Sequence, residues 1–254
     1  MTTIGATSNS TQNASFYKCS NLRSITLHEL VTRIGFNAFR ETGLTSISGL
    51  GFVKIINDNA FYNTTSLTIE DLSLPNLETL GQDAFYGVKI RKISNLGKIT
   101  ALNNKDFMDN KTLEEIYLPD SLVTIAGTDL GGNIGAFYNC SSLKTVVLGK
   151  NITTIKHATF SGCSSLAQIN LEGVTSIEGG YYTGAFSYAF TPDYELNAPN
   201  LETITYHAFQ KAKLKKVVNL GKVAVLGSSG DVNYGGLGTF YECPNLEFLT
   251  YSRP

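Results

Sequence analysis

The chain has little of what catalysis draws on. Its 254 residues hold only three histidines, His28, His157 and His207. No Cys-x-x-Cys or paired histidine offers metal ligands, and no G-x-S-x-G, P-loop or G-x-G-x-x-G joins a strand to a helix. The stretch "LGGNIG" at 130–135 follows no such pattern either. An enzyme, a resident metal and a cofactor are therefore not expected. An excess of either charge is missing too: 20 basic residues against 21 acidic ones leave −1, with no basic run of the kind that grips nucleic acid or anionic lipid. No apolar run reaches the roughly 18 residues that would span a bilayer. Neither nucleic acid nor direct membrane insertion is expected. The opening "MTTIGATSNSTQNAS" has no basic n-region and no apolar h-region, so no signal peptide is read there. Residues 1–13 are expected to be a polar segment or linker, ahead of a single domain over 14–254.

What is present is a repeat. A phenylalanine recurs at Phe16, Phe39, Phe61, Phe85, Phe107, Phe137, Phe160, Phe186, Phe209 and Phe240, at spacings of 23, 22, 24, 22, 30, 23, 26, 23 and 31. Alanine precedes it in six copies, and Ile or Leu stands five residues before it wherever nothing is inserted, as at Ile34, Ile56 and Ile155. A small residue follows it by three, and then comes L-x-x-[IV]-x-L, as in Leu113-Ile116-Leu118 and Leu143-Val146-Leu148. One copy cannot bury such a face alone. Stacked as parallel strands about 4.8 Å apart, ten copies would form a rod roughly 45 Å long. The small slot explains the cysteines: Cys19, Cys140, Cys163 and Cys243 all occupy it, and Thr42, Thr64, Val88, Asn110 and Ala212 fill it elsewhere. Buried free thiols are expected rather than a disulfide framework, since only Cys140 and Cys163 fall on adjacent rungs.

The motif A-F-x-x-C-x-x-L-x-x-I-x-L, best displayed by "AFYNCSSLKTVVLGKNITTI", resembles the BspA-like, or Treponema pallidum type, leucine-rich repeat. The resemblance covers about residues 14–251. It implies an α/β but strand-dominated leucine-rich-repeat solenoid of about ten 22–24-residue repeats with short parallel strands and tight turns. It also implies a surface or secreted adhesin-type protein that binds host or microbial proteins or glycans and carries no catalytic residues. The implied location is extracellular or cell-surface, as part of a longer or truncated chain. A structural spacer or virion appendage is the alternative.

Strand-borne charges should pair across rungs, Arg91-Lys92 with Glu114-Glu115 and these with Lys144. Lys215-Lys216 has no obvious acid nearby. The histidines read as solvated turn residues. A hydroxyl row at Thr124, Thr154, Ser176 and Thr203 is interrupted and reads as ordinary strand composition. The final strand in "PNLEFLTYSRP" lacks a polar cap, which predicts end-to-end association through open ends.

The remaining signal lies in insertions. The interval from the second inward Ile or Leu to the repeat Phe is five residues in most copies, but twelve from Ile125 to Phe137, nine from Ile177 to Phe186 and fourteen from Leu226 to Phe240. All three enter at one corner, which predicts a ridge of loops along one edge, and insertions on one face often mark the binding face. Tyr181, Tyr182 and Tyr234 are the expected aromatic anchors, and Asp129, Asn133, Asp231 and Asn233 the expected polar contacts. The expected partner is a protein or glycan on a cell surface.

Overall fold

A computed structural model describes residues 2–8, 14–128, 134–223, 226 and 238–249. The recurrent phenylalanine is its spine. All ten rings stack in sequence order, with centroids 5.2–5.8 Å apart and planes within 18° of parallel. The eight inner rings are completely buried, while Phe16 and Phe240 at the ends are partly so. Burial of one such ring stabilises by about 1.5–3 kcal/mol, so the column is a major part of the core. The left-handed backbone that turns the chain around each ring is equally regular. The residue two after every Phe has positive φ, from Lys18 to Glu242. The residue two before it does so in the six copies without an insertion: Asn37, Asn59, Asp83, Lys105, Ala158 and His207.

Two parallel ladders flank the spine. The first follows each Phe and runs through ten short strands, from Ser24–Thr26 to Phe248–Leu249. The second precedes each Phe from Phe16 to Phe209, running from Thr2–Ile4 to Thr203–Ile204. Inward residues pair with their equivalents from rung to rung, as in Ile93, Ile116, Val146 and Ile169 of the first ladder. Strand dominance holds, but the α component does not: among the described residues the one helical element is a 3-10 turn at Leu50–Phe52. A repeat of 22–24 residues is used up by two strands and two tight corners, which leaves no length for a helix.

The segment expected to be a linker contributes a strand. Thr2–Ile4 pairs with Val31–Ile34, and Ala6 bridges Phe36. Ile4-Gly5-Ala6 matches Ile34-Gly35-Phe36, and Ile4 stands twelve residues before Phe16. This is a second-ladder strand with an insertion at the same corner as the later three.

The first ladder falls into sheets of two, five and three strands. New sheets begin at Thr68–Ser73 and Glu195–Asn197. In these copies the inward residue comes late, eleven residues after the ring at Leu72 and ten at Leu196, against eight or nine elsewhere. The extra length carries each strand out of line with the rung before it, and its ladder pairing is with the rung after.

The small slot has a chemistry beyond size. Cys140, Cys163 and Cys243 direct their thiols to the carbonyls of Phe107, Phe137 and Phe209 at 3.2, 3.3 and 3.0 Å, and the Thr64 hydroxyl does the same to Phe39 at 2.7 Å. The slot favours a small donor that reaches the previous rung. All four cysteines are free. Burial pushes the Cys163 thiol up to about 12 and the Cys140 thiol well above its ordinary value. The expectation of uniform burial fails at the ends: Cys19 is exposed and Cys243 half-buried.

Candidate functional site

Two of the inserted corners can be followed from their feet. In the first, Gly127–Thr128 and Ile134–Gly135 form an antiparallel pair. In the second, Gly179 bridges Gly184. Each insertion leans on the corner of the following rung, and glycine makes that approach feasible. A Cβ at Gly127 would run into the carbonyl of His157, and one at Gly184 into that of His207. The second insertion is tied down further. The Thr205 hydroxyl accepts from Gly179 N at 2.5 Å and donates to Gly179 O at 2.8 Å, and the Ser187 hydroxyl accepts from Gly184 N at 2.8 Å.

Two of the three histidines, His157 and His207, are part of these footings rather than solvated turn residues. His157 Nδ1 lies 3.1 Å from the Glu178 carboxylate at the foot of the second insertion. His207 is 5% exposed, and its Nδ1 is 3.2 Å from Gly180 O. Their positions, just before a Phe whose preceding rung carries an insertion, are the sequence signal that marks them. His28 instead accepts from the Leu30 amide on its own turn.

Of the seven predicted contact residues, Tyr181 and Tyr182 stand on the crest of the second insertion, 44% and 59% exposed. Their rings meet edge to face at 4.7 Å. Asp129, Asn133, Asp231, Asn233 and Tyr234 lie outside the described residues.

The strand-borne face is mostly self-paired in its centre. Glu70, Arg91, Glu114 and Lys144 form one chain of ion pairs at 3.6, 3.3 and 2.9 Å, and Lys92 pairs with Glu115 at 3.2 Å. Hydrogen bonding and attraction from Lys144, joined by Arg91, hold the Glu114 carboxyl below its usual range. Lys216, expected to lack an acid, stands opposite Glu195 in register. The hydroxyl row is continuous only from Thr154 through Ser176 to Thr203, with Thr203 donating to Ser176 at 2.8 Å. At the far end Phe248 and Leu249 are exposed on the last described strand. Among the described residues no group of three or more His, Cys, Asp or Glu could hold a metal ion, and no helix is long and apolar enough to cross a membrane.

The family model for the BspA type leucine rich repeat region matches residues 2–68, 51–130 and 133–247, in six copies. No curated protein matches the chain. Solved structures similar to it include a leucine-rich repeat protein from Bacteroides ovatus, 23% identical over 97% of this chain and 69% of that one, with a TM-score of 0.49. A leucine rich cell surface protein from Faecalibacterium prausnitzii is 20% identical over 94% and 62%, at 0.42. The pneumococcal vaccine antigen PcpA is 16% identical over 90% and 74%, at 0.34. On the repeat match, which spans most of its length, the chain belongs to the BspA-type leucine-rich repeat family.

Proposed function

We propose that this chain is a non-catalytic recognition module of a cell-surface or extracellular protein, and that its insertion ridge meets a protein or glycan on a cell. The observation that carries this is the shared corner: the insertions after Ile125 and Ile177 leave the rod at the same corner of their rungs, and the crest of the second bears the exposed pair Tyr181 and Tyr182. Aromatic anchors supply large contact area at low entropic cost. The footings at Thr205 and His207 hold the loop before any partner arrives, which lowers the ordering cost of binding. The descriptions of the Faecalibacterium protein as cell-surface and of PcpA as a vaccine antigen are consistent with an exposed location.

The test is binding of labelled protein to a panel of mammalian and bacterial cells, read by flow cytometry. Tyr181→Ala with Tyr182→Ala should weaken binding by at least about tenfold, as expected for loss of an anchor, with an unchanged circular dichroism spectrum. A correctly folded double variant that binds with the parent's affinity would overturn the assignment of the ridge.

A further inference from the structure

The first ladder opens between Gln168–Ile169 and Glu195–Asn197. No backbone hydrogen bond between these strands occurs among the described residues, and the two belong to different sheets. The cause is local. Phe190 and Thr191 still pair with the previous rung through the carbonyls of Cys163 and Leu166. The chain then passes through Pro192 and Asp193 and re-enters strand geometry only after Tyr194. A groove of about 490 Å³ results.

Thr145, Gln168, Glu172, Glu195 and Asn197 line it together with Asn170 and Tyr194, seven polar side chains in all. Among the described residues the first five make no side-chain hydrogen bond or ion pair, whereas Asn170 is bonded to Leu148. A few rungs away Glu70, Arg91, Glu114 and Lys144 pair with one another. The floor is apolar. Ile169 is partly exposed here, whereas its register partners Ile116 and Val146 are buried, and Val147 is 38% exposed beside it. Lysine and arginine are absent from the lining.

We propose that this break is a binding site for a neutral saccharide, separate from the insertion ridge. Two carboxylates accept from sugar hydroxyls, two carboxamides both donate and accept, and Thr145 adds a hydroxyl. Ile169 and Val147 offer a surface for the apolar face of a pyranose. Glu172 and Glu195, with no cation in the groove, disfavour acidic sugars. An added peptide strand fits less well, because the upstream edge is only two residues long. Just beyond it Asn170 turns its carboxamide back to Leu148, accepting from the amide at 2.6 Å and donating to the carbonyl at 3.1 Å.

The experiment is titration calorimetry and array binding of the whole chain with neutral oligosaccharides of hexose and N-acetylhexosamine units. Sialylated glycans and lysine-rich peptides form the comparison arms. Neutral saccharides should bind, and Gln168→Ala with Asn197→Ala should weaken them by about tenfold or more, the loss expected for two to three hydrogen bonds. Tyr181→Ala with Tyr182→Ala should leave this binding unchanged, so failure of the groove and failure of the ridge are told apart. Gln168 and Asn197 are exposed side chains, and Glu195→Gln provides a near-isosteric second variant should the double alanine unfold. Absence of binding by any neutral saccharide, or binding indifferent to these substitutions, overturns the proposal. So does preferential binding of lysine-rich peptides that is lost in Glu195→Gln.

Discussion

The stretch from Thr68–Ser73 to Thr145–Val147 and the stretch from Gln168–Ile169 to Glu195–Asn197 lie on the same face and come from the same repeat, yet they treat polar residues differently. In the first, parallel register places each charge beside its opposite one rung away, and the face satisfies itself. In the second, the register is lost and Gln168, Glu172, Glu195 and Asn197 have no side-chain partners among the described residues. Composition and position both contribute: no lysine or arginine lines the second stretch's groove, and its strand is out of register with the rung before it. An inward residue that arrives one or two places late after the ring takes its strand out of the ladder, and a self-paired surface becomes an open one.

The largest expected effect asks whether this contrast stops at the strands. Phe107 sits within the regular stretch and Phe186 beside the break, and both are fully buried between neighbouring rings. Each change to alanine should cost about 3–5 kcal/mol in a urea titration, as for other buried aromatic truncations. Phe16→Ala should cost clearly less, because its ring has a single stacking neighbour in the column and is only partly buried. If Phe186→Ala proves far cheaper than Phe107→Ala, the break runs through the core and the contrast has been drawn too narrowly.

The regular stretch carries its own irregularity in Asp106, which stands where six other copies have alanine. It is completely buried, and its carboxylate accepts from the amides of Asn103 at 2.7 Å and Asp83 at 3.1 Å. Burial raises its pKa well above 3.8 despite those bonds, and the nearby Asp83 carboxylate adds to the rise. The folded state therefore holds this proton more tightly than the unfolded one. Its contribution to stability is fully present below about pH 3.8 and is lost as pH rises through the folded value. Asp106→Asn should flatten the fall in stability on that alkaline side. Parallel pH profiles for the two proteins, from urea midpoints, would show that Asp106 is not its source.

Much of the fold was legible because it rests on side-chain periodicity. The Phe column, the inward Ile and Leu rows and the charge ladder all follow from spacing. The break was not legible. Phe186 to Phe209 spans an ordinary 23 residues only because the extra residue before Leu196 is offset by a three-residue step from Ala198 to Leu201, where Leu118 to Leu122 takes four. Thr2–Ile4 was missed for the opposite reason, its ring standing twelve residues away. Left-handed backbone at Lys105 and Ala158 is imposed by the stacked corners around them, since neither residue type favours it. The tyrosine pair was readable from the insertion alone, but the footings at Thr205, His157 and His207 required knowing which rung each insertion leans on.

A smaller effect sharpens the account of the slot that joins the two regions, since Cys140 and Cys163 occupy the last two rungs before the break. Removing the donor in Cys163→Ala should cost about 1–2 kcal/mol, from the lost bond to Phe137 O and the small void. Cys163→Thr should cost less, because Thr64 makes the same bond to Phe39. In the native protein a thiol reagent should label Cys19 readily and spare Cys140 and Cys163 until denaturant is added. Equal costs for alanine and threonine would reduce the slot to size alone.

The smallest effect falls on the self-paired face, and it is the one that can break the comparison most directly. Glu114 links Arg91 and Lys144, but all three side chains are open to water, where ion pairs gain little and are screened by salt. Glu114→Gln should therefore shift the urea midpoint only slightly, with the shift shrinking further as salt is raised. It leaves Arg91 near Glu70 and frees Lys144, so the face gains positive charge without losing its strands. A face already satisfied by its own pairs should also be neutral in recognition: Glu114→Gln should leave saccharide binding at the break and cell binding at the ridge where they were. If it instead weakens either as strongly as Gln168→Ala with Asn197→Ala weakens the first, ion pairing does not exempt a surface from function, and the central ladder belongs to the binding surface too.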